Sequence, residues 1–173
     1  MLSIDGKLTS AQLDAKANVP GKFVYTPALG TEIKTATETL KVVFTPTDSK
    51  DYNIVDKTVS LPVSVIKVSP TSINYGTVKL GSVTTRDVTV TNLGTAAVKI
   101  SNPLVSILTS GDSREFVAQN LCPASLAAHK SCTIKVEFVA GAFYHQQSAT
   151  LSVMDSSPGS PQNVSLTALT KKP

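Results

Sequence analysis

The sequence predicts an all-β protein of two tandem antiparallel β-sandwich domains, and three observations carry that expectation. Apolar residues recur at every second position in separate short blocks, the spacing at which side chains of a strand line one face of a sheet. No stretch sustains the 3.6-residue apolar period of an amphipathic helix. The 173-residue length exceeds the roughly 100 residues of a single small sandwich domain and suits two compact cores. Aromatics are only 5% of the chain and Trp is absent, so those cores must be built mainly from Val, Ile, Leu and Ala.

In the first block, Ala11 to Ala17 reads as a short strand, with a helical turn as the other reading. Pro20-Gly21 then marks a turn before Lys22 to Thr26, a strand with Phe23 and Tyr25 pointing inward. Thr39 to Thr45 places Leu40, Val42 and Phe44 on one face, and Thr58 to Ile66 does the same with Val59, Leu61, Val63 and Val65. The Lys67-Val68-Ser69-Pro70 run follows, and its Ser-Pro step cannot continue a sheet ladder. The domain boundary is placed there, giving domains 1–66 and 67–173. A junction this short and free of glycine is expected to join them end to end.

The second block repeats the pattern. Val88 and Val90 point inward, Asn92-Leu93-Gly94-Thr95 reads as a hairpin turn, and Val98 and Ile100 continue inward on the far side. Ile134, Val136 and Phe138 alternate with Lys135 and Glu137. Leu151 and Val153, then Val164 and Leu166, do likewise, with Asp155 to Pro161 as the connecting loop. Strand after strand without a helix calls for two packed sheets, because a single sheet leaves one apolar face in water. Both domains are therefore expected to be immunoglobulin-like in architecture.

Charge excludes some functions. The net charge of +4 lies wholly after Ile66: seven Lys balance seven acids before it, while nine basic residues face five acids after it. The bases are dispersed rather than clustered on an aromatic-studded stripe, so nucleic acid is not an expected partner. No apolar run is long enough for a helical membrane span, and Met1 to Asp5 lacks the basic and apolar regions of a signal sequence. A segment cut from a longer polypeptide accounts for that start.

Residues able to carry chemistry are few. Cys122 and Cys132 are the only cysteines, the second at the head of a strand. A disulfide between them is expected, and with it an oxidising compartment. Two reduced thiols in a cytosolic chain are the alternative, and a metal site with His129 lacks the four-ligand spacing zinc prefers. His129 and His145 are the only histidines, and no Gly-x-Ser-x-Gly elbow accompanies them. Glu137 occupies an outward strand position and Asp155 opens a turn, so no catalytic pair is assigned. Asp48 and Asp51, with Lys50 between them, lack the acids of a calcium loop. Asn163-Val164-Ser165 fits a glycosylation sequon but falls in a strand. No metal or cofactor is expected. Phe143, Tyr144 and His145 are the one candidate binding cluster, with a hairpin turn around a core-facing Phe as the plainer reading.

The run from Val68 to Val78, Gly81-Ser82 and Val88 to Ala96 resembles the opening of bacterial relatives of the Abnormal-spindle/Hydin (ASH) immunoglobulin-like domains, of the choice-of-anchor D type. Cys122, Leu126 to Ala128 and Ser131 to Phe138 are similar to that group's paired-cysteine segment, and residues 149–153 with 160–166 to its closing hairpin. Ala140 and Ala168 depart from the proline and glycine usual there. Residues 4–66 resemble another bacterial Ig-like repeat through Leu8 to Ala15, Val19 to Ala28 and Thr39 to Asp48. That likeness implies a further strand upstream of Ile4, so this domain is expected to be truncated with an exposed sheet edge.

The two resemblances imply a non-enzymatic spacer in a larger secreted or cell-surface bacterial protein, monomeric, with neighbouring domains as its partners. A glycan- or protein-binding module is the alternative. An intracellular, cytoskeletal role of the eukaryotic ASH kind fits poorly with the bacterial-type first unit.

Overall fold

The computed structural model describes residues 2–107, 115–141 and 146–171, the side chains of 104–107 excepted. Phe143, Tyr144 and His145 lie outside the described residues. The chain is all β, and it divides into two compact units, Met1–Val65 and Ile66–Pro173.

The first unit is a three-stranded antiparallel sheet in the order β1-β2-β3, from Gly21–Thr26, Thr37–Pro46 and Val55–Pro62. Its register places Phe23 opposite Phe44, and Val42 opposite Lys57. The N-terminal segment supplies the layer against this sheet. It is tied by a parallel bridge from Ser3 to Ser64 and an antiparallel one from Lys7 to Glu32. Leu2, Leu8, Ile33, Leu40 and Val63 form the core, with Ile4, Leu13 and Leu61 against it.

Two expectations change here. Ala11 to Ala17 is not a strand: Gln12 Oε1 accepts from the Thr9 amide at 3.0 Å and from its hydroxyl at 2.7 Å, and the Gln12 amide donates back to the Thr9 carbonyl. Those local bonds close a turn, and residues 13–17 then run on without a ladder partner among the described residues. The strand expected over Thr58 to Ile66 ends at Pro62: the Val63 amide still donates to the Ala36 carbonyl at 3.0 Å, and Ser64 then bonds to the N-terminal segment instead, its amide donating to the Leu2 carbonyl at 2.9 Å. Val63 and Val65 are buried beyond its end, while Val59 within it is 54% exposed.

The second unit is a sandwich of two four-stranded sheets. One has the order β4-β6-β11-β9, from Ile66–Ser69, Val83–Asn92, Ser131–Val139 and Phe116–Asn120. The other has the order β5-β13-β12-β8, from Ser72–Lys79, Gln162–Lys171, Gln146–Val153 and Leu104–Ile107. A short ribbon pairs β7, Val98–Lys99, with β10, Ser125–Leu126. Val88, Val90, Ile134, Val136, Phe138, Leu151, Val153, Val164 and Leu166 are all fully buried, each at the inward parity its alternation requires.

Connectivity departs from the simple hairpin reading in two places. The opening chain breaks at Pro70, so that β4 joins β6 on one sheet while β5 joins β13 on the other. Having crossed, β5 runs parallel to β13, the one parallel pair among the described strands, with a register shift between Thr167 and Leu169. Asn92 to Thr95 does turn the chain, but no hairpin results. The strand after it, β7, pairs with β10 rather than returning along β6, whose two sides are already taken by β4 and β11.

Candidate functional site

Three local constructions stand out, two in the second unit and one in the first. Cys122 and Cys132 are joined as a disulfide, Cα to Cα 5.0 Å. The cross-link ties the segment after β9 to the start of β11, where the Leu121 amide also donates to the Thr133 carbonyl at 3.1 Å. Beside it, the side chain of Asn92 is wholly buried. Its Nδ2 donates to the carbonyls of Ala96 at 2.8 Å, Leu126 at 3.0 Å and Ala127 at 3.3 Å, and its Oδ1 accepts from the Gly94 amide at 2.9 Å. One amide thus organises the turn after β6 and the loop after β10. It escaped the reading of the sequence, although its position was a signal: Asn92 continues the inward series of Val88 and Val90, where a polar residue requires internal partners.

The second construction joins the sheets. Tyr75 of β5 packs against Phe116 and Phe138 of the opposite sheet, ring centroids 6.0 and 5.7 Å away, and its hydroxyl donates to the Val136 carbonyl at 2.8 Å. Arg86 lies over the ring at 5.9 Å. Burial pushes the phenol up to about 12, opposed by the nearby Arg86 cation and aided by Glu137. This tyrosine holds its proton, so it acts as a structural donor and not as a base.

The titratable residues weighed from sequence have structural places. Asp155 accepts from the amide and the hydroxyl of Ser157, while its own amide donates to Ser160 Oγ at 2.8 Å, so it shapes the β12–β13 loop. Asp48 Oδ1 accepts from the Lys50 and Asp51 amides at 3.0 and 3.3 Å, which makes it the organiser of a turn. His129 sits in a tight turn at φ 57°. Glu137 lies on β11, on the outward parity opposite Val117 and Thr85. Among the described residues no three His, Cys, Asp or Glu side chains gather as metal ligands.

The third construction is a groove on the first unit. The Ala15–Val19 segment stands over the sheet face carrying Phe23, Val42, Phe44, Val55 and Val59, and the space between is about 590 Å³. The Ala15 amide donates to the Tyr25 hydroxyl at 2.8 Å and anchors that wall. Lys16 and Lys57 are its charged lining residues.

Residues 64–169 match the HYDIN/CFA65/VesB-like, Ig-like domain family. Among solved structures, the ASH/PapD-like domain of human CEP192 is 15% identical with a TM-score of 0.50, over 64% of this chain and 87% of that one. The secreted serine protease VesC from Vibrio cholerae is 25% identical with a TM-score of 0.44, over 56% of this chain and 21% of its own. The Vibrio cholerae VesB protease is 20% identical with a TM-score of 0.41, over 62% of this chain and 32% of that one. The chain therefore spans about a fifth of the length of VesC and a third of that of VesB. No curated protein matches the chain. With the family match running across more than half of its length, and falling on the unit whose two sheets close around Tyr75, the chain belongs to the HYDIN/CFA65/VesB-like Ig-like domain family.

Proposed function

We infer that the chain supplies non-catalytic structural modules to a larger secreted or cell-surface bacterial protein, extending or presenting its neighbouring domains. The observation that carries this reading is the double closure of the second unit. Its sheets are joined through their shared interior by the Tyr75 hydroxyl, and the end of one sheet is clasped by Cys122–Cys132. A module so tied resists local opening, which is the property a spacer needs. The disulfide favours an oxidising, extracellular setting, and VesC, a secreted protease, has a region similar to this chain at 25% identity. In this reading the chain works as a monomer, its standing partners are adjacent domains of the same polypeptide, and it takes neither cofactor, nucleic acid nor bilayer.

Domain replacement tests the role. Exchanging residues 1–173 in the parent polypeptide for two unrelated immunoglobulin-like modules is expected to preserve the activity of the flanking domains. Loss of that activity, with the flanking domains still folded, would instead assign recognition to this chain. The groove of the first unit favours such a second reading, in which a partner is bound through a sheet edge.

A further inference from the structure

We draw no further inference here: the strongest candidate, the apolar groove of about 590 Å³ between the Ala15–Val19 segment and the face of the β1-β2-β3 sheet in the first unit, carries nothing because nothing in the structure shows what covers it.

Discussion

The hydroxyl of Tyr75, on one sheet of the second unit, donates a 2.8 Å hydrogen bond to the carbonyl of Val136 on the other. The acceptor belongs to β11, the strand held between β6 and β9, so a side chain reaches across the interior to a backbone oxygen. Tyr75→Phe keeps the ring contacts with Phe116 and Phe138 and removes only that bond. A loss of about 1 kcal/mol is expected, read as a lower urea midpoint at unchanged slope.

The same residue sets a pH dependence. Its phenol is raised to about 12 in the folded chain, against about 10 when unfolded. Folding therefore favours the protonated form, so this stabilisation is whole below about pH 10 and is lost as pH rises through about 12. Stability measured across that window should fall more steeply in the native sequence than in Tyr75→Phe. Parallel curves would remove burial as the cause.

Asn92 satisfies three carbonyls and one amide from a wholly buried position. Asn92→Ala removes all four bonds, the Ala127 carbonyl keeping a further donor in the Lys130 amide at 3.2 Å, and is expected to cost about 2–3 kcal/mol. Asn163 offers the contrast, since it is exposed and its Oδ1 accepts from Ser152 Oγ at the surface. Asn163→Ala should stay within about 0.5 kcal/mol of the native chain in the same denaturation experiment.

The Cys122–Cys132 bond closes a short loop, with a sequence separation of 10. Chain-entropy reasoning gives a contribution of about 2–3 kcal/mol. The paired Cys122→Ser and Cys132→Ser variant, or reduction of the native chain, should lower the melting temperature accordingly. Thiol titration of the denatured, unreduced chain should find no free sulfhydryl.

Gly21 is fixed by space rather than by backbone freedom. A Cβ there would stand 2.5 Å from the Phe44 ring and 2.6 Å from the Thr45 carbonyl. Gly21→Ala is expected to destabilise the first unit by about 1–3 kcal/mol, seen as faster amide exchange across β1 and β2 with the amides of β6 and β11 unchanged.

Much of the second unit was legible from alternation. Val88 with Val90, Ile134 with Val136 and Phe138, Leu151 with Val153, and Val164 with Leu166 all face inward as their spacing required. In the first unit the same rule misjudged Val59, because alternation assigns a residue to a face without saying what covers that face. The cover is the irregular 13–17 segment, which carries no periodic signal. The candidate site was less legible. Lys57 reads as an ordinary surface lysine until the fold sets it in the groove lining with Val42 and Val59, and Asn92 as a turn residue until Leu126 and Ala127 are brought beside it.

The sequence by itself determined that the chain is all β, which residues its strands turn inward, and where cysteine and proline punctuate it. Those properties are local, since the pleat alternates side chains whatever strand lies alongside. Tertiary structure alone decided that β4 and β5 part to opposite sheets, that β7 pairs with β10, and that β3 pairs with β2 alone among the described strands. Strand pairing joins residues distant along the chain, and the choice of partner rests on which edges other strands have already occupied.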